Sequence, residues 1–147
     1  MRTLKEVLLD SGKRPQVVAD CVKLIDSEVA NKRGLSGVAI KGAFAIVKKI
    51  RPAMIDEVTD HLLPDFTQNL EGLFSTFQGQ QGTQDVEVFF CSRTAEVANA
   101  LLNITDQRAQ NAKNGVIKKA YERLRPLALR QVEEAVPGLA RLIHKYV

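Results

Sequence analysis

The stretch IKGAFAIVKKIRP at residues 40–52 has a shorter echo, IKKAYERLRP, at residues 117–126. The correspondence continues outward from that pair in both directions. Upstream, Val97, Ala98, Leu101 and Ile104 stand 80 positions after Val17, Val18, Cys21 and Leu24, and Asp106 and Asn111 stand in the same relation to Asp26 and Asn31. Downstream, Pro137, Leu139, Ile143 and Tyr146 stand 73 positions after Pro64, Phe66, Leu70 and Leu73. The spacing shortens from 77 at IKGAF/IKKAY to 74 at IRP/LRP, close to one helical turn, which keeps a buried face pointing the same way. The chain therefore reads as two tandem copies of one helical unit, residues 1–77 and 84–147. A polar linker, QGQQGT at 78–83, joins them within a single domain spanning 1–147.

Each unit reads as helix throughout. Val17, Val18, Cys21, Leu24 and Ile25 follow the spacing of one helix face. Pro15 suits a first turn, and Gly34 suits the left-handed residue that stops a helix. The next helix, about 36–50, carries Val38, Ile40, Ala43, Phe44, Ile46, Val47 and Ile50 around most of its circumference, which predicts packing on several sides. Pro52 and Pro64 are each predicted to start a further helix, the second with Phe66, Leu70, Leu73, Phe74 and Phe77 on one face. Phe44 is expected at the centre of the core, and its counterpart Tyr121 should turn its hydroxyl toward a polar neighbour or the surface. The segments TLKEVLLD and QDVEVFFC at the two starts match only loosely. The expected fold is an all-α helical bundle of two pseudo-twofold-related halves. A short HEAT-like solenoid of helix hairpins is the alternative.

Composition agrees with a folded helical domain. The 147 residues are 45% hydrophobic and 26% charged, with no Trp and 5% aromatics, so aliphatic side chains must fill the core. Cys21 and Cys91 have neither disulfide-motif nor metal-ligand spacing, and both read as small core residues. The charged start MRTLKEVLLDSGKR does not fit a secretory signal, and no run approaches the length of a membrane span. A cytoplasmic location is expected.

The stretches VVADCVKLIDSEVANKRGLSG, KGAFAIVKKIRP and KKAYERLRP carry a likeness that covers most of the chain. With them the sequence resembles an uncharacterised family of short bacterial all-helical proteins with no assigned activity. The resemblance implies the fold class and contributes no chemistry.

Several chemistries fail on the residues themselves. GVAIKGA at 37–43 spaces two glycines as a phosphate-binding loop does, but Ala43 and Phe44 stand where Lys and Ser/Thr are required. His61 has Asp60 and Glu57 near it, yet DEVTDH reads better as a solvated helix face than as a general base with its orienting carboxylate. No ligand set for zinc, iron or calcium is visible, and no cofactor is expected. A weaker candidate is anion binding where NKRGLSG enters a helix, with Lys32, Arg33 and Lys41 at hand. Lys41 and Lys48, then Lys118 and Arg125, could also form matching basic stripes able to meet phosphates. The net charges of +1 for residues 1–74 and +3 for 75–147 give little drive for nucleic acid.

The first reading is thus a non-enzymatic interaction or scaffold protein that holds another protein or a second copy of itself. The alternatives are a small carrier of an apolar ligand in a cleft between the halves, and a weak nucleic-acid or anion binder through the basic helix faces. A large continuous apolar cavity would favour the carrier, and an exposed apolar patch would favour a protein partner.

Overall fold

The computed structural model describes residues 3–80 and 85–147, and among them every regular element is helical. The order is α1 (Leu4–Leu8), α2 (Arg14–Asn31), α3 (Gly34–Ile50), α4 (Met54–Gly79), α5 (Val86–Cys91), α6 (Thr94–Gln110) and α7 (Gly115–Tyr146). The protein is an all-α helical bundle. Of the expected linker, Gln78 and Gly79 belong to α4, and 81–83 lie outside the described residues.

The two short helices are built alike. Thr3 Oγ1 accepts from the Glu6 N–H to start α1, and Asp85 Oδ1 accepts from the Val88 N–H to start α5. Each then buries three apolar side chains at equal spacing: Leu4, Val7 and Leu8 in α1, and Val86, Phe89 and Phe90 in α5. These segments, which match only loosely in sequence, share this pattern of capping and burial. The carboxylate of Glu71 on α4 accepts from the Leu4 and Lys5 N–H groups, at 2.7 and 3.2 Å, and so satisfies two first-turn donors that have no acceptor within the helix. On α7, His144 lies 3.5 Å from Glu87 of α5.

Between α2 and α3 the chain reverses over two residues. Gly34 has φ of +72°, and a Cβ on Gly37 would lie 2.6 Å from the Lys32 carbonyl carbon, so both positions require glycine. Lys48 of α3 then pairs with Asp26 of α2 at 3.1 Å, and Arg125 of α7 pairs with Asp106 of α6 at 2.8 Å. Tyr121 donates its hydroxyl to Asp106 and lies 2.8 Å from Thr105 Oγ1, which is the polar neighbour expected for it.

The prolines behave differently from the sequence expectation. Pro52 does interrupt the chain, and α4 begins at Met54. Pro64, however, lies inside α4, and α7 runs unbroken through both Pro126 and Pro137. A proline inside a helix leaves the carbonyl four residues earlier without its donor. For Pro64 that carbonyl belongs to Asp60, and Arg14 takes it at 3.0 Å while its Nε holds the Asp60 carboxylate at 3.1 Å. A side chain from α2 thus replaces the missing N–H, and α4 continues.

The core lies at one end of the bundle, where α1 and α5 meet α2, α6 and the last turns of α4 and α7. Leu4, Val7, Val17, Phe74, Phe89, Phe90, Val97, Val136 and Ile143 are fully buried there. Phe89 stacks at a tilt on Phe77 at 5.5 Å and edge-on against Phe90 at 5.7 Å, and the Arg93 guanidinium covers it at 4.1 Å. The centre of the core is this aromatic group. Phe44 is only half-buried, because α3 joins the bundle at the opposite end. Cys91, expected in the core, is exposed at the end of α5, since Phe89 and Phe90 take that helix's buried positions. Phe89→Ala should cost about 3–5 kcal/mol in urea unfolding, as a buried aromatic truncation does. A loss below about 1 kcal/mol would show that the core lies elsewhere.

Candidate functional site: an apolar cavity with a polar mouth

The other end of the bundle is open. Beyond the core, α2, α3, α4, α6 and α7 diverge around a cavity of about 440 Å³ that opens to solvent on one side. Its walls are aliphatic and aromatic: Leu24 and Ile25 from α2, Ile40 and Phe44 from α3, Leu62 and Phe66 from α4, Leu101 from α6, and Leu127, Ala135 and Leu139 from α7. Val17, Leu70, Val136 and Ile143 belong both to the core and to the cavity floor, so the two are continuous.

The few polar groups on the wall are mostly spent. Thr59 and Thr67 turn their hydroxyls back onto the carbonyls of Ile55 and Leu63, at 2.6 and 2.7 Å, and Thr105 bonds Leu102 and Tyr121. What these residues offer the cavity is methyl groups. Burial, with Asp20 adjacent, pushes the Cys21 thiol up to about 11, so it is a neutral, unreactive wall group at physiological pH. The exception is Gln131, whose Oε1 is buried and has no hydrogen-bond partner. An unsatisfied buried amide oxygen costs about 1–3 kcal/mol, so it needs a reason to be there.

Gln131 stands at the boundary with a second, polar recess of about 530 Å³, which is lined by Glu28, Asn31, Arg33, Ser36, Arg130 and Glu134. Glu28, Lys32, Leu127 and Gln131 border both spaces. Only 11% of the Lys32 side chain is exposed, and its ammonium bridges Glu28 at 3.5 Å and Glu134 at 3.0 Å, tying α2 to α7. Lys32 beside Glu134 in turn holds that carboxyl below its ordinary range. The combined space is an apolar chamber with a charged mouth.

Residues 4–147 match a family described as a family of unknown function (DUF6918). The chain belongs to this family. No curated protein and no solved structure matches it. Family membership agrees with the resemblance drawn from the sequence and brings no activity with it, so the chemistry has to come from the cavity.

The residues singled out from the sequence fall in several places. Lys32 and Arg33 do share a recess, the polar mouth. Lys41 is exposed on α3 and Lys118 on α7, while Lys48 and Arg125 are each engaged by an aspartate of the preceding helix. His61 is exposed, and its neighbours face other partners, Asp60 toward Arg14 and Glu57 toward Arg51. Among the described residues no three His, Cys, Asp or Glu side chains are grouped to hold a metal ion. No helix among them is long and apolar enough to cross a membrane. Sequence reasoning passed over Gln131. Its signal was available: a lone amide between Leu124, Leu127, Ala128, Val132 and Ala135, on the face of α7 that meets the other helices.

Three buried or half-buried groups give the fold a pH limit. Burial, with Asp106 and Asp20 as their respective anionic partners, pushes Tyr121 and Tyr146 up to about 12, as it pushes Cys21 to about 11. The unfolded chain releases these protons near 9 for the thiol and 10 for the phenols, while the folded chain still holds them. Stability should therefore fall as pH rises from about 9 toward 12, because the folded state binds more protons there. Urea midpoints at about pH 8 and about pH 10.5 would show it, and Tyr121→Phe should reduce the slope. Equal midpoints would contradict the burial assigned to these groups.

Proposed function

We propose that the protein binds and carries a water-insoluble molecule: a single apolar chain or ring system with one polar end. The observation that supports this reading is the continuous apolar cavity with a charged recess beside it. The cavity opens to solvent, so its aliphatic and aromatic walls meet water unless something apolar covers them, and covering them gains about 25 cal/mol per Å². An engineered cavity of about 150 Å³ takes one benzene, so this one suits a ligand of roughly fifteen to twenty carbon atoms. The ligand's polar end would emerge among Lys32, Arg33 and Arg130. The carboxylate on the wall, Glu28, is held by Lys32, and the thiol, Cys21, is kept neutral by burial, which supports binding over catalysis.

In this reading the two halves of the chain are copies of one unit, and the cavity is the space between them. The matching ion pairs Asp26–Lys48 and Asp106–Arg125, and the matching short helices α1 and α5, support the duplication. Crossed packing supports it further. Asn69 of α4 donates to the Ala100 carbonyl of α6 at 3.0 Å, while Lys145 and Tyr146 of α7 hold Asp20 of α2. The fourth helical segment of each half thus leans on the second helix of the other. A scaffold role draws its support from exposed apolar side chains, the most exposed of which, Leu35 and Val38, stand on α3.

Titration with the fluorescent long-chain acid parinaric acid tests the proposal. Saturable one-to-one binding is expected, with about 2.7 kcal/mol of added stability at a probe concentration one hundred times its dissociation constant. Ala135→Trp should fill the chamber, abolish binding and keep or raise the melting temperature. Gln131→Leu should raise the melting temperature and leave binding in place, because it removes a buried oxygen that has no partner. Absence of probe binding by a folded wild-type protein would overturn the carrier reading.

A further inference from the structure

The width of the apolar surface on α3 predicted packing on several sides, and the structure packs only one. Gly37, Ile40 and Ala43 are buried, and Phe44 and Val47 are half-buried, along a single face toward α2, α4 and α7. On the far side Leu35 is 91% and Val38 71% exposed, with Ala39, Gly42, Ala45, Ile46 and Ile50 beside them. At 100° per residue these seven positions fall within one sector of about 140°, apolar from Leu35 to Ile46 and shared by Lys49 in the last turn. Lys41 and Lys48 flank the sector along one border. The helix carries no acidic residue, and Arg33 and Arg51 cap its two ends.

We propose that this outer face of α3 docks on the surface of an anionic lipid bilayer. A helix with an apolar face edged by lysines lies in the interfacial plane, sinking its aliphatic side chains while its cations meet anionic headgroups. The acidic neighbours that could oppose this are already occupied: Asp26 by Lys48 and Glu57 by Arg51. Charge also argues against a second copy on the same face. Two α3 helices laid together would bring Lys41 and Lys49 of both copies into one interface, with no carboxylate on either helix to pair them. The choice of a bilayer over an acidic protein rests on the carrier reading. The inner side of α3, through Ile40 and Phe44, is a wall of the cavity, so one helix would touch both the stored apolar molecule and the phase from which such a molecule comes.

The test is co-sedimentation with vesicles of phosphatidylcholine alone and of phosphatidylcholine mixed with phosphatidylglycerol, with parinaric acid binding measured in parallel. Binding to the anionic vesicles is expected, weakening as salt rises. Lys41→Gln with Lys49→Gln should weaken it about thirtyfold, at about 1 kcal/mol per cation near an anionic surface. Leu35→Gln with Val38→Gln should weaken it at least about tenfold. Both pairs are solvent-exposed, so melting temperature and probe binding should stay unchanged. If wild-type protein ignores the anionic vesicles while the probe still enters the cavity, bilayer docking is wrong and the carrier reading stands. If vesicles bind but the probe does not, docking holds and the carrier reading fails. Equal vesicle binding by the variants would overturn the assignment to α3. So would a concentration-dependent dimer that the Leu35/Val38 variant abolishes, since the face would then belong to a second copy.

Discussion

The structure depends on how two very short helices close a bundle of long ones. α1 and α5 are too short to be stable alone, and each survives because its buried triplet inserts between long helices and its first turn is capped. They insert at the same end. There they bring Phe74, Phe77, Phe89 and Phe90 together and fix the spacing of α2, α4, α6 and α7. Nothing comparable fills the other end. Long helices held apart at one end by a cluster of four aromatic side chains diverge toward the other, and the chamber lies between them.

Holding that chamber open has a cost, which the polar interactions around it help to offset. Lys32 ties α2 to α7 through Glu28 and Glu134, and Asp20 receives both Lys145 and Tyr146 across the same helix pair. The hydrogen bonds from Lys145 and Tyr146 hold the Asp20 carboxyl below its ordinary range. At Asp106 burial works the other way, but bonds from Tyr121 and Arg125 prevail and lower it too. Exposed ion pairs contribute little, and these matter more as positioning contacts that keep the long helices apart at a fixed angle. The basic residues that looked like phosphate-binding stripes in the sequence include two of these anchors, Lys48 and Arg125.

The fold was largely legible in the sequence because its signals are periodic. Helix faces, the reversal at Gly34 and the echo of one half in the other can all be read from residue spacing alone. Reading prolines as boundaries failed at Pro64, where the deciding partner, Arg14, is remote in sequence and comes from another helix. Phe44 and Cys91 were misplaced for a related reason: apolar character says that a residue seeks cover, not at which end of a bundle the cover lies. The site was legible only in outline. An apolar cavity was weighed among the alternatives, but Gln131 was not singled out, because an amide becomes informative only once its burial and missing partner are known. The breadth of the apolar surface on α3 was seen and explained by packing, where the structure leaves half of it uncovered.

The central claim is that the cavity belongs to the native state as a binding space. Calorimetric unfolding of the native-host protein, before and after extraction of bound organic matter with an apolar solvent phase, tests it most directly. The account predicts a lower melting temperature after extraction, restored by adding back the extract, together with a near-stoichiometric amphiphile in that extract. Identical unfolding before and after, with nothing recovered in the extract, would contradict it.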